Sequence, residues 1–226
     1  MKKEYIWEIK VKNTPTTKRK CNHCSCDNFY CSNKFRMNSQ KRNTDVWLIY
    51  RCVECDSTYN LTILSRTKPE LINKNLFLNF SENNEATAWE YAFSLETARK
   101  NSIELDYNSV GYEVIHDNIS IDDILNSDKE IITFRVQTPF EFGLKLSSVI
   151  RICLGLSANQ LKQMIEAKAI FTPENYIIKK RRIKNGDIVQ VSKIRLLDFY
   201  AGNIISELTS PKKPLQVRLD KNINNL

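Results

Sequence analysis

The chain has 226 residues, a formal net charge of +8 and a mean hydropathy of −0.42. That length allows two or three small units, each with a modest hydrophobic core. The sequence contains no stretch that is apolar over the length of a membrane span, and its first residues lack the apolar core of a signal peptide. We therefore expect a cytoplasmic protein with no membrane partner.

Charge divides the sequence into three parts. Residues 1–66 hold 13 Lys/Arg against 6 Asp/Glu, residues 67–140 hold 6 against 13, and residues 141–226 hold 15 against 7. We take these limits as domain boundaries, with an acidic α+β linker domain between two basic units. Basic units favour an anionic partner such as nucleic acid. The alternative is a compositional bias, since the chain is rich in Asn, Lys and Ile.

The first unit contains six of the seven cysteines. Strand-like runs occur at Tyr5–Val11, Asp45–Tyr50 and Thr58–Leu64. Two CxxC pairs are separated by 27 residues, and each is followed by turn-forming polar residues. Four thiolates on two such turns can surround one ion tetrahedrally, as in a zinc ribbon, and leave no open position for substrate. The pattern predicts a structural Zn²⁺ bound by Cys21, Cys24, Cys52 and Cys55.

Neighbouring residues leave alternatives open in this unit. Cys26 could replace Cys24 as a ligand, and His23 lies inside the first pair. A disulfide framework is the competing interpretation, which a reducing compartment disfavours. Cations and the aromatic residues Phe29, Tyr30 and Phe35 lie between the pairs, where they could hold RNA by charge and stacking. Equally, these aromatic side chains could pack beneath a solvated loop.

A wider pattern runs through the N-terminal half: Tyr5–Glu8, the two CxxC pairs, Lys34–Arg36, Asp45–Tyr50 and Ala88–Phe93. This pattern resembles a bacterial family catalogued as domain of unknown function 1062. The resemblance covers most of the chain and implies a small bacterial protein, but it implies no established activity.

The middle unit is predicted to contain two helices and two strands, at Glu85–Lys100, Val110–Ile115, Ser120–Asn126 and Ile131–Val136. Asp122 and Asp123 could form an acid–base cluster with His116 and Asp117. However, Ser120 is a typical N-cap, and aspartates in the first turn stabilise a helix through its dipole. Because no nucleophile or second base accompanies the single histidine, we expect no catalytic residues and no enzyme.

Local signals are densest in the C-terminal unit. An apolar stripe over Leu146–Leu154 predicts a helix that ends before a C′ glycine, Gly155. Ser157 and Gln160 then form a capping box for a second helix, with Leu156 and Leu161 as a hydrophobic staple. Apolar runs that predict a small sheet follow at Ala169–Phe171, Tyr176–Ile178 and Ile188–Val191. A last helix is expected over Lys193–Leu208, and a loose tail over Ser210–Leu226.

Two short helices at a tight corner, followed by a small sheet, resemble the S-four-type RNA-binding domain, also called the αL motif. The matching residues are Leu146, Leu154–Ser157, Ile165, Ile170 and Ile183–Val189. The sequence departs from that family at Ser147, where an acidic residue is usual, at Lys168, where glycine is usual, and at Thr172–Glu174, which replaces an Asn-Gly turn. The resemblance implies binding of structured RNA through cationic side chains. The alternative is a helical hairpin on a small sheet without a ligand.

We therefore expect an α+β chain with a β-rich zinc ribbon (1–66), a small α/β middle segment (67–140) and an S-four-like helical hairpin with a small sheet (141–226). The expected function is non-catalytic binding of structured ribosomal or transfer RNA, with the ribosome as a candidate assembly. Phosphate contacts are assigned to Lys145, Arg151, Lys162, Lys168, Lys179, Lys180, Arg181, Arg182 and Lys184. Reversing Arg151, Lys162 and Arg181 to glutamate is expected to weaken binding without unfolding. The alternative function is a zinc-ribbon module that binds protein, with a purely structural C-terminal domain.

Overall fold

The computed structural model describes residues 4–40, 42–174 and 176–209, with side chains described as far as residue 201. Over these ranges the chain is a mixed α+β protein with two five-stranded sheets and seven α-helices. None of the helices in the described ranges is both long and apolar enough to cross a membrane. The tail predicted at Ser210–Leu226 lies outside the described residues.

The strands are β1 (Glu4–Val11), β2 (Thr16–Lys18), β3 (Asn28–Gln40), β4 (Asn43–Cys52), β5 (Thr58–Thr67), β6 (Glu104–Asp106), β7 (Tyr112–His116), β8 (Ile131–Gln137), β9 (Ile170–Phe171) and β10 (Ile188–Ser192). The helices are α1 (Lys74–Ser81), α2 (Glu85–Phe93), α3 (Leu95–Lys100), α4 (Ile121–Leu125), α5 (Leu146–Leu154), α6 (Ala158–Glu166) and α7 (Lys193–Thr209).

One sheet, here called the cysteine sheet, is antiparallel and has the strand order β5-β4-β3-β2-β6. Helices α1 and α2 cover its core, where Phe80, Ala88 and Ala92 are buried. Phe29 is also buried in this core, and the ring of Phe35 packs edge-on against Phe80 with 4.9 Å between centroids. Phe29 and, in part, Phe35 therefore support this core.

The other sheet, here called the mixed sheet, has the strand order β7-β1-β8-β10-β9. β1 runs parallel to β8 and antiparallel to β7, so the first strand of the chain pairs far outside the cysteine-rich segment. Its buried Trp7 stacks on Phe134 of β8 with centroids 4.5 Å apart. The apolar faces of α5 and α6 join the same core. β1 is thus buried by elements of the middle and C-terminal segments, whereas the predicted segment 1–66 groups it with the cysteines.

Helix α2 packs against both cores. Ala88 and Ala92 face the cysteine sheet, whereas Phe93 is buried in the core of the mixed sheet. Phe93 also stacks on Phe140, with centroids 4.3 Å apart and planes within 5°. The single helix predicted over Glu85–Lys100 is two helices, α2 and α3, divided at Ser94. Ser94 has an extended backbone (ψ 113°), and its hydroxyl accepts a hydrogen bond from the Thr97 N–H as the N-cap of α3.

Two further sequence predictions differ from the structure. Tyr176–Ile178 forms no strand: the Tyr176 N–H donates to the Thr172 hydroxyl at 2.9 Å instead of to a neighbouring strand. The 27 residues between the CxxC pairs form most of a long hairpin, β3–β4, in place of a loop. The remaining predicted strands and the helices α4, α5, α6 and α7 lie within a few residues of their expected limits.

Candidate metal centre and basic corner

The two CxxC pairs lie in turns at the same end of the cysteine sheet, between β2 and β3 and between β4 and β5. The turns have matching hydrogen bonds: the Cys21 N–H donates to the Cys26 carbonyl at 2.8 Å, and the Cys52 N–H donates to the Ser57 carbonyl at 2.9 Å. The Val53 N–H donates to the Asn28 carbonyl at 3.1 Å and joins one turn to the other. Strand pairing therefore fixes the spacing of the four cysteines.

The four Sγ atoms form a compact group. All lie within 4.8 Å of one another, and the Cys21–Cys55 and Cys24–Cys52 pairs are each separated by 3.6 Å. A tetrahedral ion with metal–sulfur bonds of about 2.3 Å requires about 3.8 Å between sulfur atoms. All seven cysteines are free thiols. The geometry and the soft donor set therefore fit a structural metal ion bound by four thiolates.

Hydrogen bonding and mutual proximity separate the pKa values within this group. The backbone N–H of His23 donates to the Cys21 Sγ at 3.4 Å and, as the largest cause, lowers the pKa of Cys21 to about 6. A hydrogen bond from the Cys26 backbone acts to lower the pKa of Cys24, but burial and the thiols of Cys55 and Cys52 raise it to about 12. Four adjacent thiols cannot all ionise without a compensating cation, so a divalent ion would complete the site.

The other candidate ligands lie outside the group. Cys26 bonds locally, accepting the Asn28 N–H at 3.4 Å, and His23 contributes its backbone N–H to Cys21. Cys31 is buried near Asn33, and burial raises its pKa to about 11. Cys153 lies in the core of the mixed sheet. The structure thus brings together Cys21, Cys24, Cys52 and Cys55 and leaves Cys26 and His23 beside them.

The helical corner in the C-terminal segment follows its sequence signals closely. α5 ends at Gly155, whose φ of +64° is left-handed, and the Leu156 N–H donates to the Arg151 carbonyl at 3.0 Å. The Gln160 N–H donates to the Ser157 hydroxyl, and the Ser157 N–H donates to Oε1 of Gln160. The predicted capping box is therefore confirmed. Leu156 and Leu161 are both buried, as a staple requires.

The basic segment 179–184 returns to the start of α5. The Leu146 N–H donates to the Arg181 carbonyl at 2.9 Å, and the Ile183 N–H donates to the Leu144 carbonyl at 2.8 Å. Lys145 and Arg182 face each other across this antiparallel bridge. Because directly opposed residues project to the same side of a ladder, two of the predicted cations are neighbours at the foot of the corner.

Arg181 has a different environment from the other predicted cations. Its guanidinium donates to both carboxylate oxygens of Asp187, which is buried, and its Cζ lies 4.1 Å from the centroid of the Tyr176 ring. The hydrogen bond to Asp187 raises the pKa of Arg181 further. Arg181 is therefore bound within the protein and is poorly placed to reach a phosphate.

The other eight predicted cations are exposed, and within the described residues none of them forms an ion pair. Nε of Arg151 donates to the Leu156 carbonyl at 3.3 Å, so its charge lies beside the corner. Lys162 lies on the exposed side of α6, and Lys179 and Lys180 occupy an exposed turn. Lys168 follows α6 with a left-handed φ of +56°, a conformation that glycine adopts more readily than lysine.

Two adjoining cavities lie next to these cations. The larger, about 410 Å³, is mostly apolar and is bordered by Lys168 and Arg195. The smaller, about 250 Å³, is mostly polar and is bordered by Arg181, Lys184 and the Asn185–Gly186 turn. Thr172 and Tyr176 contribute to both. The apolar cavity depends on contacts between β9, α6 and α7, which sequence periodicity does not indicate.

The alternative acid–base cluster has a structural explanation. The Ser120 hydroxyl accepts the Asp123 N–H at 3.1 Å, and Asp123 accepts the Ser120 N–H at 2.8 Å, which confirms Ser120 as an N-cap. Hydrogen bonding to the Ser120 hydroxyl holds the pKa of Asp123 below its usual value. Nδ1 of His116 lies 3.1 Å from the Asp117 carbonyl. The carboxylate of Asp123 thus caps α4.

Fold and site together define an α+β protein with two sheets and a four-cysteine cluster suited to a metal ion. A family model described as "Protein of unknown function (DUF1062)" matches residues 37–176, more than half of the chain, and the chain belongs to this family. No curated protein and no solved structure matches it. The match spans the second CxxC pair, the helical corner and β9, and it assigns no activity to them.

Proposed function

We propose that this chain is a non-catalytic, zinc-containing protein that binds structured RNA, with ribosomal or transfer RNA as the ligand class. In this proposal the cysteine sheet acts as a zinc ribbon, and the C-terminal corner acts as an S-four-type RNA-binding surface. The two assignments rest on different observations and can fail separately.

The zinc assignment is supported by the donor set. Four thiolates with sulfur–sulfur separations of 3.6–4.8 Å suit a tetrahedral, closed site, and Zn²⁺ is a common ion in such sites. N–H groups that donate to sulfur, such as that of His23 to Cys21, are typical outer partners of a bound thiolate. A metal here would stabilise the two turns and hold the ends of β2–β3 and β4–β5 together.

The RNA assignment is carried by one observation: eight exposed cations, distributed along α5, on and after α6 and in the basic segment 179–184, form no ion pair among the described residues. Unneutralised cations on a rigid corner attract a polyanion and release its counterions on binding. Of the nine residues assigned from sequence, Arg181 is moved to a structural role beside Asp187. Lys145, Arg151, Lys162, Lys168, Lys179, Lys180, Arg182 and Lys184 are proposed to contact phosphates.

Copurification tests this proposal. The tagged full-length protein, crosslinked in its native cell and washed at high salt, should retain RNA that nuclease removes. Sequencing should return a small set of structured RNAs, enriched for ribosomal or transfer RNA. Recovery no greater than from a variant with Arg151, Lys162 and Arg182 changed to glutamate would overturn the proposal.

The second candidate function is a module that binds another protein. It is favoured by exposed apolar side chains in the middle of α1 and just before the helix: Leu71, Leu78 and Phe77 are 73%, 51% and 41% exposed. Exposed apolar residues that lie together indicate protein contacts. Retention of a protein partner after nuclease treatment, lost on changing Leu71 and Leu78 to serine, would favour this function over RNA binding.

A further inference from the structure

Tyr176 lies in an unusual position for an exposed aromatic side chain. The guanidinium of Arg181 covers one face of its ring, with 4.1 Å from Cζ to the centroid, and 40% of the residue remains exposed. Arg181 is held in turn by Asp187, which also accepts the Lys184 N–H at 2.8 Å. The backbone of Tyr176 is fixed through its N–H to Thr172. The ring is therefore a supported surface that borders solvent.

The apolar cavity begins at this ring. Ile165, Ile170, Ile178 and Phe171 supply its apolar walls, and its volume of about 410 Å³ is within the range of small-ligand sites. Lys168 and Arg195 border it, and neither has an ion pair within the described residues. An apolar cavity with two uncompensated cations at its border suits a flat, apolar group attached to an anion.

The polar cavity on the other side of Tyr176 has different chemistry. Lys184, Asn185 and the backbone of Gly186 border it, together with the exposed Glu174 and the paired Arg181 and Asp187. Thr172 and Tyr176 separate it from the apolar cavity. A nucleotide would lie across both, with its base in the apolar cavity, its sugar hydroxyls towards the polar cavity and its phosphate beside Lys168 and Arg195.

We propose that Tyr176 and the apolar cavity bind one unpaired base of the RNA, while Lys168 and Arg195 bind its phosphate. This inference rests on the proposed RNA binding and specifies its ligand: an RNA with an unpaired nucleotide next to a structured region. Bases of a duplex are stacked within the helix and cannot enter a cavity, whereas unpaired bases stack on aromatic side chains. The Arg181–Asp187 pair then acts as the support of the stacking ring.

The test compares two probes on the zinc-loaded, full-length protein. One is a fluorescein-labelled single-stranded oligoribonucleotide of twelve nucleotides, and the other is the blunt duplex of the same strand. Tyr176→Ala is expected to lower affinity for the single strand by about fivefold to a hundredfold, the range that loss of one stacked base gives. The duplex should change by less than about twofold, since it reaches only the exposed cations. Tyr176→Phe should restore single-strand affinity because it keeps the ring.

The outcomes separate this inference from the function on which it rests. Equal affinity of wild type and Tyr176→Ala for the single strand, with both probes bound, overturns the base site and leaves RNA binding intact. An equal loss on both probes also overturns it, because the ring then contributes through folding. Failure of the wild type to bind either probe overturns RNA binding itself. Unfolding midpoints of the three proteins establish that each is folded in the assay.

Discussion

Arg181 and Asp187 form a partly buried ion pair that closes the turn before β10. Nη2 of Arg181 donates to Oδ1 of Asp187 at 2.6 Å, and Nε donates to Oδ2 at 3.4 Å. The Asp187 side chain is only 7% exposed, and that of Arg181 is 21% exposed. The segment from Lys179 to Lys184 contains five cations, yet only the side chain of Arg181 forms an ion pair with the Asp187 carboxylate. The pair divides the basic segment into one structural residue and four exposed residues.

Arg181→Glu is predicted to destabilise the protein, in contrast to the expectation from sequence that it would affect binding alone. The change would put a second carboxylate against a buried one and remove both of its guanidinium hydrogen bonds. We expect a loss of about 2–4 kcal/mol in the free energy of unfolding, slightly less than for a fully buried pair. Urea denaturation followed by circular dichroism measures it.

Arg182→Glu is the matched control for that change. Arg182 is the next residue in the chain, is exposed, and lies opposite Lys145 in the bridge. Its reversal should change stability by no more than about 0.5 kcal/mol and should lower RNA affinity instead. Equal stability of the two variants would show that the Arg181–Asp187 pair contributes nothing to the fold.

Changing a clustered cysteine to serine is predicted to remove the metal and destabilise the cysteine sheet. Cys52→Ser is the most informative change, because Cys52 is buried at the end of β4 and lies 3.6 Å from Cys24. Loss of one thiolate from a four-thiolate site should reduce bound zinc from one per chain to nearly none and lower stability by at least about 3 kcal/mol. Elemental analysis and thermal unfolding measure the two effects.

Cys26→Ser serves as the control for the cysteine cluster. Cys26 is the only other cysteine within two residues of Cys24, but its sulfur bonds to Asn28 and lies outside the cluster. This variant should keep one zinc per chain. If Cys26→Ser lost its zinc and Cys24→Ser kept it, the fourth ligand would be Cys26 and not Cys24.

Lys168→Gly is predicted to stabilise the protein and weaken its binding at the same time. The left-handed backbone at Lys168, φ +56°, is strained for any residue with a Cβ and free for glycine. We expect a gain of about 0.5–1 kcal/mol, since the greater freedom of glycine in the unfolded chain offsets part of the relief. RNA affinity should fall because one cation at the apolar cavity is lost. A lower stability would contradict the strain argument.

Short-range signals made parts of this fold predictable from sequence. The C′ position of Gly155, the Ser157–Gln160 capping box and the N-cap at Ser120 each depend on residues within one or two turns of a helix. The four-cysteine cluster was predictable because each CxxC pair defines its own turn. Two such pairs in one unit are typical of a shared four-thiolate site, although the sequence left Cys26 and His23 open as replacement ligands.

Long-range pairing made other parts unpredictable. β1 pairs with β8 in parallel, with Trp7 opposite Val136, and nothing in either segment encodes that partner. β3 is thirteen residues long, but polar and apolar residues alternate only weakly along it. Its sequence therefore indicated an exposed loop, and the hairpin with β4 was not predicted. The role of Arg181 depends on Asp187 being buried, and burial follows from the packing of the whole mixed sheet. The position of Arg181 within a run of basic residues indicated only that its side chain would be exposed to solvent.

The salt dependence of RNA binding tests the central claim most directly. If the eight exposed cations neutralise about six phosphates, log affinity should fall against log salt with a slope of roughly −4 to −5. Filter binding of a copurified RNA at several salt concentrations gives that slope. The variant with Arg151, Lys162 and Arg182 changed to glutamate should bind the RNA more weakly, and its affinity should depend less steeply on salt. A wild-type affinity that does not change with salt would contradict binding of RNA by these side chains.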